Sequence, residues 1–433
     1  MEYAKVTGDK QYDPVMLKGL GVASHGKQGS FLESESAPAW NDDILWWAMP
    51  SATGALIYGP DATFTDGLSM KQVTINTFNQ VWKTWDDKCG GGLYWIRNQR
   101  KGAGYKSTIT NVQQMLIGAQ LTAITGDKSY VQKSDQILKW LKSSGLYVSG
   151  KIYDGVNSEE NCKLTKVLYS YNPGVILSAL SWMYKVTNDK SYIKDMQETL
   201  DTTIYHFTNK SIVFDRCEPN CPLNAASYKG AFARGLGFMY ELSPDEGQRN
   251  TAKNLLTTSV KAMLDVCDDQ WNCGNNWASK QKAGKSVHDQ MNAIELMTAF
   301  YKTFGNSVAV KPIQAATSSS ATSISITSSA ALAPSTTTLA AALVSSTIAS
   351  LSSSADPYST STSTDSDTST YLPDFTTSSP PLATGAESVG RNDELAKGTP
   401  VLGAPTKEVF SSGNLEQISI QLLLASLIAM IAI

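Results

Sequence analysis

Histidine is scarce in this chain of 433 residues: His25, His206 and His288 are the whole set. No two have the spacing of metal ligands, which excludes a metal centre built on histidine. An excess of one charge is also missing. Lysine and arginine number 36 against 39 aspartates and glutamates, a net charge of −3. Nothing in that balance points to a nucleic-acid partner. Gly90, Gly91 and Gly92 lack the spacing of a phosphate loop and read as a tight turn, so no nucleotide or other cofactor is implied. The opening stretch MEYAKVTGDKQYD has no apolar run and cannot serve as a signal peptide. No series of segments alternates apolar and polar residues, so the chain does not read as a β protein.

What is present starts with aromatics. Ten tryptophans and 18 tyrosines suit stacking on sugars as well as core packing. Six cysteines form two close pairs and one distant pair. If the chain is secreted, Cys217–Cys221 and Cys267–Cys273 are local bridges, leaving Cys89–Cys162; the alternative is free buried thiols. One acceptable N-glycosylation sequon, Asn209-Lys210-Ser211, marks a surface loop.

Composition divides the chain into three. Residues 1–311 have globular patterning and nearly all the tryptophan. Residues 312–412 are low-complexity Ser/Thr/Ala sequence, read as a disordered stalk. Residues 413–433 end in an apolar tail from Ile418 to Ile433, short for a membrane span and with no basic stop. Small residues just upstream make it resemble a GPI-attachment signal, with a short tail anchor as the alternative. A GPI anchor requires the secretory pathway, and therefore a signal peptide. The expectation is that the true N-terminus lies upstream of Met1, and that the mature protein sits at the outer plasma membrane or cell wall.

Within the first region a short pattern recurs. VTGDKQY begins at Val6, ITGDKSY at Ile124 and VTNDKSY at Val186. Each offers a helix-stopping Gly or Asn, a polar turn, and an aromatic to open the next helix. Weaker turn signals near 60, 245 and 305 complete a series at about 60-residue spacing. NPGVILSALSWMYKVT and MNAIELMTAFYKTF carry helical apolar spacing into these junctions. The pattern predicts an all-α fold, an (α/α)6 barrel of helical hairpins, with the first hairpin largely absent.

The stretch AWNDDILWW, residues 39–47, places Asp42 and Asp43 side by side against apolar surface. One reading is a helix start, with Asn41, Asp42 or Asp43 as cap. The other is a carboxylate pair poised for acid/base chemistry.

Six further landmarks follow in order: CGGGLYW at 89–95, GYKSTITN at 104–111, YDG at 153–155, YSYNPGVIL at 169–177, CEPNCPLNAASYKGAFAR at 217–234 and DQMNAIE at 289–295. With NDD at 41–43, the set resembles glycoside hydrolase family 76, and most closely its fungal GPI-anchored members. The resemblance covers roughly residues 5–304. It implies a retaining mechanism on α-1,6-linked mannan, with Asp42 as nucleophile and Asp43 as general acid/base. Retaining hydrolysis needs two carboxyl groups about 5–5.5 Å apart. It further implies substrate contacts from Asn41, Trp46, Trp47, Tyr94, Trp95, Tyr105, Lys106, Asn111, Asp154, Tyr171, Asn172, Lys229 and Arg234. For several of these the residues alone allow a structural role: the tryptophans as core, Asn172 as a helix cap, Lys229 and Arg234 as packing. In the fungal branch a covalent intermediate can also pass to a sugar hydroxyl, which implies GPI-anchor mannose as donor and wall β-glucan as acceptor.

Two departures bear on activity. Trp40 and Ile44 stand where the fungal relatives have Gly and Gln. They motivate a rival reading, a catalytically inactive mannan-binding wall protein on the same barrel. A purely structural stalked adhesin accounts for residues 312–433 but not for the ordered motifs.

Overall fold

The computed structural model describes residues 1–24, 29–31, 40–97, 104–222, 225–280 and 286–304. The expected stalk at 312–412, the anchor signal at 413–433 and the junction near 305 lie outside these residues.

Eleven α-helices form among the described residues: α1 (Glu2–Thr7), α2 (Asp13–Ala23), α3 (Asn41–Tyr58), α4 (Met70–Trp82), α5 (Thr108–Thr125), α6 (Ser129–Ser143), α7 (Tyr171–Thr187), α8 (Ser191–Phe207), α9 (Tyr228–Leu242), α10 (Glu246–Leu264) and α11 (Val287–Tyr301). Helices α3, α5, α7, α9 and α11 pack on one another in that order, and α4, α6, α8 and α10 each back their hairpin partner. Helix α1 touches both α11 and α3, so it occupies the sixth inner position with six residues.

Sequence explains which helices lie inside. Helix α5 buries every residue from Thr108 to Thr122, as a helix apolar or neutral on all faces must. Helix α6 buries only a stripe, including Val131, Ser134, Ile137, Leu138 and Leu141. The recurrent turns end the inner helices. Gly8, Gly126 and Asn188 all take left-handed backbone, at φ 78°, 77° and 59°. In each, the preceding threonine hydroxyl (Thr7, Thr125, Thr187) accepts from the amide of the following aspartate at 3.1 Å. Each aspartate, Asp9, Asp127 and Asp189, then accepts from the amide two residues on. One turn is thus built three times.

Among the described residues, seven short strands depart from the purely helical expectation. Strands β1 (Tyr105–Ser107), β4 (Gly155–Asn157) and β5 (Lys163–Thr165) form an antiparallel sheet in the order β1-β4-β5. Strands β2 (Tyr147–Val148) and β3 (Lys151–Ile152) form one hairpin, β6 (Thr208–Asn209) and β7 (Ile212–Val213) another. At two or three residues each, none is long enough to show a period of two. The disulfides are Cys89–Cys162, Cys217–Cys221 and Cys267–Cys273. Asn209 of the sequon is exposed, beside the β6–β7 turn.

Candidate active site

Asp42 and Asp43 lie in the first turn of α3. Neither caps the helix; the N-cap is Trp40, whose side chain makes no capping bond. The loop after Gly92 fixes this start. The Asn41 amide donates to the Trp95 carbonyl at 2.7 Å, and Trp40 pairs with Ile96 as an isolated antiparallel bridge. That pairing brings the Trp95 indole Nε1–H onto Asp42 Oδ1 at 2.7 Å. Asp42 is half-buried and Asp43 exposed. Burial, and then the charge of Asp43, push the Asp42 carboxyl up to about 7, against the stabilising indole bond.

A shelf of tyrosines lies near Asp42. Tyr171 opens α7 and Tyr228 opens α9, with ring centroids 4.1 Å apart. Tyr169 stacks on Tyr171 at 5.7 Å and meets Tyr228 edge-on at 5.5 Å. Burial raises both Tyr171 and Tyr228, with Asp42 among the nearby charges. Behind the shelf, Asp154 accepts from Tyr105 Oη at 2.6 Å, Tyr171 Oη at 3.3 Å and Asn172 Nδ2 at 3.5 Å. Burial raises Asp154. Asp215 accepts from the Ser170 hydroxyl and the Arg216 amide, and burial raises it to about 6. The starts of α3, α7 and α9 therefore bring one cluster of acidic and aromatic side chains together.

Five of the expected substrate contacts already have partners inside the protein. Lys106 is wholly buried and donates to Asp86 and to the carbonyls of Lys88 and Gly91. Asn111, equally buried, holds the Leu93 amide and carbonyl and the Ser107 carbonyl. Lys229 donates to Glu218 Oε1 and the Asn275 carbonyl. Arg234 forms a two-point ion pair with Glu295, locking α9 to α11. Asn41 Nδ2 donates to the Tyr94 carbonyl and Thr84 Oγ1. Four of these hold loop carbonyls, and Arg234 pairs with the part-exposed Glu295. Trp46 packs against the core, while Trp47 is exposed and stacks on Phe31. Asn172 is not a cap; that position is Ser170. Tyr94 turns its hydroxyl to Asp86 at 2.6 Å. Of the two departures, Ile44 is core and Trp40 lies against Trp95 at the cleft mouth.

Tyr169, Tyr228 and Asp215 escaped sequence reasoning. Tyr228 carried a usable signal: like Asp42 and Tyr171, it falls at the start of an inner helix. Asp215 carried none. Among the described residues, no group of three His, Cys, Asp or Glu side chains is placed to hold a metal ion.

The model of glycosyl hydrolase family 76 matches residues 1–310. Mannan endo-1,6-alpha-mannosidase DCW1 of Saccharomyces cerevisiae is 30% identical over 277 residues, covering 61% of this chain and 61% of its own. The DFG5 protein of the same yeast is 29% identical over 307 residues, 66% of this chain and 65% of its own. This chain thus spans about 61–65% of the length of those curated relatives. Among solved structures, Dfg5 from Chaetomium thermophilum in complex with glucosamine matches with a TM-score of 0.64 at 22% identity, over 72% of this chain and 79% of that one. An inactive α-1,6-mannanase variant of Salegentibacter sp. HEL1_6, with two consecutive aspartates changed to asparagine and α-1,6-mannotriose bound, matches with a TM-score of 0.58 at 17% identity, over 69% and 85%. The all-α barrel is shared with both. On a match that runs through the whole helical region, this chain belongs to glycosyl hydrolase family 76.

Proposed function

We propose that this chain is a retaining endo-acting enzyme on α-1,6-linked mannan, with Asp42 and Asp43 as its reacting carboxyls. The observation that carries the reading is the consecutive pair at the start of α3, one half-buried under an indole donor with tyrosines nearby and one exposed. The names of the relatives and the paired substitution in the inactive mannanase variant support it.

Asp42 is assigned as nucleophile because Trp95 donates to it, which favours the ionised form. Attack on the anomeric carbon forms the C–O bond to Asp42 as the leaving oxygen takes the Asp43 proton. Asp43, in contact with solvent, then deprotonates the incoming hydroxyl, and the Asp42 ester is displaced. Water gives hydrolysis; a sugar hydroxyl gives transfer, with wall β-glucan as the proposed acceptor and GPI-anchor mannose as the donor glycan. The tail at 413–433 supports a GPI anchor at the outer plasma membrane or wall.

The raised Asp42 carboxyl favours one second reading, with the two roles exchanged. Azide rescue on an activated α-mannoside separates them. Asp43→Ala is expected to regain turnover and yield mannosyl azide of retained configuration. The same product from Asp42→Ala instead would exchange the assignments.

A further inference from the structure

Lys106 was expected to meet substrate, yet its ammonium is sealed inside the protein. It lies on β1 and reaches the loop that precedes the active-site segment. Nζ donates to Asp86 Oδ1, to the Asp86 carbonyl at 3.2 Å, and to the Lys88 and Gly91 carbonyls at 2.7 Å each. The Tyr94 ring centroid is 4.8 Å away, and the Tyr94 hydroxyl returns to the same Asp86 carboxylate. Three carbonyls and a carboxylate converging on one point is the coordination a bound cation would receive. Here the chain supplies the cation itself. On the same strand, the Tyr105 carbonyl accepts from the Trp95 amide at 2.8 Å. Strand β1 therefore holds the loop at both ends: by the lysine head over residues 86–91, and by the backbone at Trp95.

Lys229 repeats the device across the cleft. Its Nζ binds Glu218 and the Asn275 carbonyl and lies 3.7 Å from the Trp277 ring centroid. Both lysines sit just before or at the start of an inner helix, and each gathers loop segments beside disulfide cysteines.

We propose that Lys106 is a positioning residue, an internal cation that folds residues 86–95 so that the Trp95 indole reaches Asp42. Naming Asp42 as the reacting group rests on the function proposed above; the geometric claim does not. The groups that face Asp42 are Asp43 of α3, the Trp95 indole, Tyr171 of α7 and Tyr228 of α9. Those that face Lys106 are Asp86, Asp87 and Lys88. Without the ammonium, the carbonyls of Asp86, Lys88 and the buried Gly91 lose the donor they share, and water must take its place. The loop loosens and the indole bond to Asp42 is weakened.

The test uses tryptophan-labelled protein and follows the Trp95 indole N–H resonance by NMR across pH, which reads Asp42 titration without any turnover. In Lys106→Met the Trp95 midpoint is expected to rise by about one pH unit, the worth of one hydrogen bond to a charged group. In parallel, kcat on an α-1,6-mannooligosaccharide is expected to fall at least tenfold with KM little changed. Lys142→Met, which removes an ion pair to Asp195 between α6 and α8, is the structural control and should leave the midpoint in place. Should Lys106→Met fail to fold, the half-exposed partner is changed instead, and Asp86→Asn is expected to shift the midpoint in the same direction. A folded variant of either kind with an unmoved Trp95 midpoint overturns the proposal. A shifted midpoint in a protein inactive from the outset upholds the positioning and removes only the functional reading.

Discussion

Asp42 stands between opposed influences: burial and Asp43 hold its proton, while the Trp95 indole and the start of α3 favour its charge. Its value near 7 in the folded protein exceeds that of a free aspartate, about 4. The folded state therefore binds this proton more tightly than the unfolded chain, and stability declines as pH rises from about 4 to about 7. Asp42→Asn keeps an oxygen for the indole and cannot ionise. It is expected to stabilise the protein by ~2–4 kcal/mol at pH 8 and by nothing at pH 4; urea unfolding at both values checks this, and equal effects would contradict it. Trp95→Phe removes the donor while keeping the ring, so the acid limb of kcat/KM is expected to move to higher pH. At this scale the sequence was only partly legible. It exposed the adjacent aspartates, since two neighbouring charges beside apolar residues stand out. It could not separate polar residues that face substrate from those that hold a loop, and Asn41, Lys106, Asn111 and Lys229 all have loop carbonyls as partners.

The elements that shape the cleft are short connections clamped onto long helices. Gly91 and Gly92 show how tightly. A Cβ on Gly92 would come within 2.4 Å of the Trp140 ring, and one on Gly91 within 2.7 Å of Trp85, both at positive φ. The glycine run thus provides close approach to two indoles as well as a turn. Gly92→Ala is expected to cost roughly 2–4 kcal/mol through ring displacement and backbone strain, read as a lowered urea midpoint. A shift under half a kcal/mol would mean that the loop relaxes freely. Helices were legible because their stop signals recur, and Gly8, Gly126 and Asn188 all proved to be left-handed caps. The β1-β4-β5 sheet was not, because its pairing joins residues about 50 apart, such as Tyr105 with Asn157. That register is what sets Tyr105 beside Asp154.

Across the described helical region, five full inner helices and the short α1 form a ring, with charge closing the seam. Lys302 pairs with Glu2 and Glu241, and Lys5 also reaches Glu241, tying α1 to the end of α9 and the turn after α11. The Cys89–Cys162 bridge spans 73 residues and fastens the Lys106 loop to the β4–β5 turn. Chain entropy alone makes it worth ~4 kcal/mol. The Cys89→Ala, Cys162→Ala double variant is expected to lose most of that in a denaturant titration, and a loss below 1 kcal/mol would show that Lys106 holds the loop unaided. The hairpin architecture could be read from turn spacing, whereas the cleft depended on which helix starts meet, a property of closure. The central claim is tested most directly by anomer-resolved NMR during cleavage of a short α-1,6-mannooligosaccharide. The account predicts early appearance of the α-anomer, abolished in Asp42→Asn. Early β-anomer, or a folded protein that binds the glycan without turning it over, would contradict it.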